Sequence, residues 1–138
     1  MDKMKGFKQA KKESLKSDFD GNKVSRHLGC AIYYKGELLA LGHNSEKTSP
    51  IQHKYNRIRY TCESSPAKTH AEIMALKKIM NLDIDFNKVS IFTYRENDKG
   101  IEAMAKPCPA CEKLIRELGI RRINYTVENG YASIKLNA

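Results

Sequence analysis

No stretch of this sequence is long and apolar enough to cross a bilayer. Its longest unbroken aliphatic run is Leu38-Leu39-Ala40-Leu41, against the roughly 20 apolar residues a spanning helix needs. The N-terminus, Met1-Asp2-Lys3-Met4-Lys5, is charged and no apolar stretch follows it, which argues against a secretory signal. Low-complexity segments and internal repeats are lacking too, so nothing marks the chain as disordered or as a repeat array. Cysteine is sparse: Cys30, Cys62, Cys108 and Cys111 are the whole complement in 138 residues. That density does not suit a secreted disulfide scaffold and points to metal or catalytic use in a reducing compartment. The expectation is a cytoplasmic protein without membrane partners. The length suits one domain, residues 1–138, with a core that needs no disulfide staples.

What is abundant is positive charge, a formal +9. Such a balance suits anionic partners, nucleotides or nucleic acid, and equally a lysine-rich surface that only keeps the protein soluble. Residues 3–18 read as a basic amphipathic helix inside the domain, with Phe7 and Leu15 packing on a sheet and Lys3, Lys5, Lys12 and Lys16 facing water. Asp18-Phe19-Asp20-Gly21-Asn22 ends it, so that residues 1–26 form a basic helix and turn.

Residues 28–34 and 37–42 read as two strands joined at Lys35-Gly36, a two-residue hairpin turn, with Cys30 a small core residue of the first. Asn44 closes the second strand. A connection over residues 45–69 follows, long for a compact domain and therefore a candidate for function. Within it Tyr55, Arg57, Arg59 and Tyr60 interleave basic and aromatic side chains, a combination suited to phosphate contact and base stacking. Residues 70–80 read as a helix with Thr69 as N-cap, residues 89–94 as a third strand, and Pro109 as the first turn of another helix that Gly119 caps. Residues 120–127 and 131–136 complete the strands, with Asn129-Gly130 as their turn. The order α-β-β-α-β-α-β-β predicts a five-stranded sheet covered by helices, its last two strands an antiparallel hairpin.

Chemistry concentrates in two short stretches, Thr69-His70-Ala71-Glu72 and Pro107-Cys108-Pro109-Ala110-Cys111. Cysteines at i and i+3 of a helix start share a face, and the positive end of the helix favours the thiolates a metal requires. His70 adds a nitrogen from another helix start. Cys108, Cys111 and His70 are thus three candidate Zn2+ ligands, leaving a fourth position open, with Glu72 alongside as a candidate general acid and base. A structural zinc would instead need a fourth protein ligand, for which Cys62, His43 or His53 are available. In that reading Glu72 completes a Thr69-x-x-Glu72 capping box and the chain is a non-catalytic zinc-stabilised binding module.

At these residues the chain resembles the cytidine/deoxycytidylate deaminase superfamily, zinc-dependent enzymes with the signature H-x-E…P-C-x-x-C. The resemblance runs from about Leu28 to the C-terminus. It implies an α/β, cytidine-deaminase-like three-layer sandwich with a five-stranded mixed sheet. It implies His70, Cys108 and Cys111 as metal ligands, Glu72 as the proton shuttle, and Asn44, Ala71 and Pro107 at the substrate. It also implies dimers or tetramers. His70-Ala71-Glu72-Ile73-Met74-Ala75-Leu76 is similar to the motif of tRNA adenosine deaminases, and Pro107-Cys108-Pro109-Ala110-Cys111 to that of deoxycytidylate deaminases. The hairpin ending and the insert over residues 95–106 resemble free cytidine deaminases and blasticidin-type deaminases, although their Cys-Gly-x-Cys-Arg-Gln is replaced here around Pro109 and Glu112-Lys113. Some toxin-type and nucleic-acid-editing members also end in a hairpin. The expected activity is hydrolytic deamination of cytosine to uracil on a free cytidine or deoxycytidine nucleoside or nucleotide. The alternative is editing of cytosine, less favourably adenine, in single-stranded DNA or RNA.

Overall fold

A computed structural model describes residues 3–15, 28–44, 70–96, 99–107 and 109–136. In chain order it contains helix α1 (Lys3–Ser14), strands β1 (Leu28–Tyr34) and β2 (Glu37–His43), helix α2 (Ala71–Leu76), a 3-10 turn (Phe86–Lys88), β3 (Val89–Arg95), α3 (Pro109–Leu118), β4 (Arg122–Val127) and β5 (Gly130–Lys135). The strands form one five-stranded sheet in the order β2-β1-β3-β4-β5. All neighbours are antiparallel except β3 and β4, which are parallel. A parallel pair cannot be closed by a tight turn, and α3 supplies the crossover. The mixed sheet and its terminal antiparallel hairpin are those expected. Among the described residues no helix is long and apolar enough to cross a membrane.

Local sequence explains each turn. Lys35 and Gly36 both have positive φ (53° and 86°), the signature of a type I′ hairpin turn whose twist matches the strands it joins. The second hairpin turns one residue earlier than expected. Gly130 pairs with Val127, so Glu128 and Asn129 form the turn, and Asn129 rather than the glycine takes the left-handed conformation (φ 60°). Asparagine tolerates that region, which frees Gly130 to join β5. At the end of α3, Gly119 has φ 92°. Its N–H donates to Arg116 O at 3.0 Å and the Ile120 N–H to Ile115 O at 3.2 Å, a Schellman cap.

The sheet separates two unequal cores. On one side Ile32, Ile91 and Ile123 meet Ile73, Leu76 and Ile79 of the α2 region and Leu114 and Ile115 of α3, all fully or almost fully buried. On the other, α1 lays Phe7 and Ala10 on Ala31, Tyr33, Phe92 and Tyr94. The Phe7 ring meets Phe92 edge-on at 5.3 Å and Tyr131 at 4.4 Å. This is the three-layer sandwich anticipated. One detail differs: Leu15, expected to pack inward, is 71% exposed. The inward stripe is Phe7, Ala10 and Ser14, and Leu15 lies one position past it, where an i−3 bond from its N–H to Lys12 O has already closed the helix. Two glycines let helices approach from opposite faces. A Cβ at Gly29 would collide with the backbone of Ala10 and Ser14 in α1, and one at Gly42 with the Ala71 and Ala75 backbone in α2.

Candidate active site

The strand register brings the start of β1, the end of β2 and the end of β3 to one edge of the sheet, with Leu28 opposite Arg95 and Gly29 opposite both His43 and Tyr94. Being parallel to β3, β4 ends there too. In open α/β sheets this is the edge where ligands bind. Helix α2 begins at it, and the chain segment that leads into α3 crosses it.

That crossing segment is strapped down. Thr93 Oγ1 donates to Ala105 O at 2.9 Å, Thr126 Oγ1 donates to Ala103 O, and the Ala105 N–H donates to Thr126 O at 2.9 Å. Both threonines are fully buried at the ends of the parallel strands. They fix the backbone just ahead of Pro107, itself buried. The segment's own ladder is short, an isolated Glu96–Glu102 bridge with the Ala103 N–H donating to Arg95 O, and the two strand hydroxyls extend it.

His70 is the N-cap of α2, extended at φ −78° and ψ 154°, and its side chain makes no capping hydrogen bond. The imidazole is turned instead toward α3, with Nδ1 3.3 Å from Cys111 Sγ. Nitrogen and thiolate donors on one tetrahedral zinc stand about 3.6 Å apart, given Zn–N near 2.0 Å and Zn–S near 2.3 Å. His70 and Cys111 therefore fit two corners of such a site. Cys108, the third expected ligand, lies outside the described residues, and among the described residues no cluster of three metal-ligating side chains occurs. Cys111 is fully buried in the first turns of α3, where the helix dipole favours its thiolate.

Glu72 follows two residues after His70 and is 3% exposed. Because His70 is the N-cap, Glu72 occupies the second helical position, not the third. A capping box places its acid at the third helical position, one residue beyond the place Glu72 takes here. Ala71 is buried with its carbonyl against Gly42. Asn44 is buried at the end of β2; its Oδ1 accepts from the Leu28 N–H at 2.9 Å and its own N–H donates to Leu28 O at 3.3 Å. His43, available in sequence as a fourth zinc ligand, is committed elsewhere: its Nδ1 lies 2.7 Å from Glu13 Oε2 on the α1 side. Tyr55, Arg57, Arg59 and Tyr60, with His53 and Cys62, lie outside the described residues.

Cys30 sits within the core beneath this edge. Burial pushes its thiol well above the ordinary range, and the Glu72 and Glu13 carboxylates push it further. It is a packing residue with no thiolate to offer. Sequence reasoning overlooked Glu13, Thr93 and Thr126. Glu13 is the one acidic side chain of α1, and it is buried with Phe7 and Ala10.

The family model described as "Cytidine and deoxycytidylate deaminase zinc-binding region" matches residues 2–127. Among solved structures, the chain is similar to a cytidine deaminase from Burkholderia pseudomallei, with TM-score 0.64 and 18% identity, covering 98% of this chain and 93% of that one. It is also similar to the dCMP deaminase of cyanophage S-TIM5 in its apo form, with TM-score 0.58 and 21% identity over 89% of this chain and 80% of that one. The same phage enzyme in complex with dCMP and dUMP matches with TM-score 0.57 and 19% identity over 89% and 79%. A search of the curated proteins found no match. These likenesses carry the fold, which is the cytidine-deaminase-like sandwich expected.

Proposed function

We propose, for a chain that belongs to the cytidine and deoxycytidylate deaminase zinc-binding family, that it hydrolyses the amino group of cytosine in a free cytidine or deoxycytidine nucleoside or nucleotide. The observation that carries this reading is the meeting of His70 Nδ1 and Cys111 Sγ at 3.3 Å, beside a buried Glu72 on the same helix start. His70, Cys108 and Cys111 would hold Zn2+. When bound, zinc acts as a Lewis acid that lowers the pKa of water toward neutrality.

The remaining steps belong to protein side chains. Glu72 accepts a proton from the attacking water and delivers it to N3 of cytosine as the new C–O bond forms at C4. A second proton passes through Glu72 to the exocyclic nitrogen. The C4–N bond then breaks, giving uracil and ammonia. Burial of Glu72 keeps bulk water from competing for these protons. Asn44 and the backbone at Ala71 would orient the nucleoside, with Pro107 shaping the wall.

The deoxynucleotide in the phage enzyme's crystals makes dCMP a natural first substrate to try. A second reading, cytosine editing in a single strand, draws on α1. Its Lys3, Lys5, Lys8, Lys11 and Lys12 are all exposed, while Glu13, its one acid, is buried.

A substrate panel followed by ammonia release tests both readings. It comprises cytosine, cytidine, deoxycytidine, their monophosphates, adenosine, guanine and a cytosine-bearing oligonucleotide. Turnover of a free cytosine nucleoside or nucleotide is expected. Turnover of the oligonucleotide alone would move the assignment to editing, and release from adenosine alone would overturn the choice of base.

A further inference from the structure

Helix α1 exposes five lysines, yet its single carboxylate is buried. Glu13 is 5% exposed, and burying a charge is costly unless it is paired and hydrogen-bonded. Its partner is His43, whose Nδ1 lies 2.7 Å from Oε2; the two side chains are 6% and 23% exposed. An ionised Glu13 accepts only, so Nδ1 is the nitrogen that carries the proton.

His43 is held from a second direction. Its backbone N–H donates to Met74 Sδ at 3.4 Å, on the helix that begins with His70 and Glu72. The next residue is Asn44, whose Oδ1 is already engaged by the Leu28 N–H. That bond fixes the orientation of the amide. Glu13 in turn cannot drift, because α1 is seated backbone-to-backbone on Gly29 through Ala10 and Ser14.

We infer that the Glu13–His43 pair positions Asn44, and so sets how well the substrate is held, from the far side of the sheet. The inference rests on the reading of Asn44 as a substrate contact given above. Glu13 and His43 touch no reacting atom; they act by fixing the backbone at the end of β2.

The test is a double-mutant cycle on KM and kcat, read with whichever cytosine nucleoside or nucleotide the panel turns over fastest. Glu13→Ala and His43→Ala should each raise KM about tenfold with kcat changed less than about twofold, the loss expected for one misplaced hydrogen bond to substrate. In an Asn44→Ala background the same changes should move KM less than about twofold. Glu13→Gln and His43→Asn, which preserve an acceptor and a donor at the same places, should restore most of the affinity. They also carry the test if an alanine variant does not fold. Equal effects in both backgrounds, or an unchanged KM in either alanine variant, would overturn the positioning role. An Asn44→Ala enzyme with unaltered KM would instead overturn the reading of Asn44 as a substrate contact.

Discussion

On one face of the sheet, Ile32, Ile91 and Ile123 interlock with Ile73, Leu76, Leu114 and Ile115. On the other face, rings meet edge-on around Phe7, and directional polar links do much of the joining. Glu13 binds His43. Lys3 Nζ donates to Ser133 Oγ at 3.1 Å, which donates to Asn124 Oδ1 at 2.6 Å. Lys11 Nζ lies 3.3 Å from Glu96, which accepts from the Tyr94 hydroxyl at 2.7 Å. The first face gains from area removed from water, which is insensitive to direction. The second gains from bonds that demand geometry. The candidate catalytic groups lie on the first face, where packing holds α2 and α3 rigid. The helix on the second face reaches the same edge through polar pairs, Glu13 with His43 and Lys11 with Glu96.

Neighbouring residues of β4 face opposite ways and permit a direct contrast. Ile123→Ala should destabilise the protein by about 2–5 kcal/mol, because a close-packed aliphatic site is left hollow. Asn124→Ala should cost less, about 1–3 kcal/mol. It removes a bond from Nδ2 to Ile91 O at 3.1 Å and the acceptor of Ser133, but little apolar area. Urea denaturation of both variants reads the difference, and equal losses would erase the distinction between the faces.

Alkali separates them again. Tyr33, Tyr94 and Tyr131 all lie on the α1 side, and burial raises each hydroxyl above its ordinary range, with the Glu96 carboxylate adding to the effect at Tyr94. Folded tyrosines then keep protons that the unfolded chain releases above about pH 10. Their contribution is whole below that pH and is lost as pH rises further. Stability should therefore fall above about pH 10, and Tyr94→Phe should flatten the fall in melts taken from pH 8 to about pH 11. Smallest of all is Tyr33→Phe. Its hydroxyl is buried without a hydrogen-bond partner among the described residues, so its removal should be neutral or stabilising by up to about 1 kcal/mol at neutral pH.

The two faces also differed in how readable they were. Periodicity located every strand and the crossover helix, because Ile91, Ile123, Leu114 and Ile115 obey simple spacings. His70 and Cys111 could be paired from motif chemistry, although 41 positions separate them. The polar links could not be anticipated. Nothing local distinguishes Glu13 as a buried charge from a lysine-flanked surface acid, nor Thr93 and Thr126 as clamps from ordinary strand threonines. Their partners are carbonyls and rings brought near only by the fold. The misplaced turn at Glu128-Asn129 has a local cause: both Asn129 and Gly130 tolerate positive φ, and the β4–β5 register chose between them.

The most direct measurement compares ammonia release and bound zinc in the native protein and in Glu72→Gln. With Glu72 as the proton shuttle, the variant should bind zinc one-to-one like the native protein and melt at a similar temperature. It should lose about 100-fold to 10,000-fold in kcat on a cytosine nucleoside or nucleotide. A variant that keeps zinc and full activity would contradict the account.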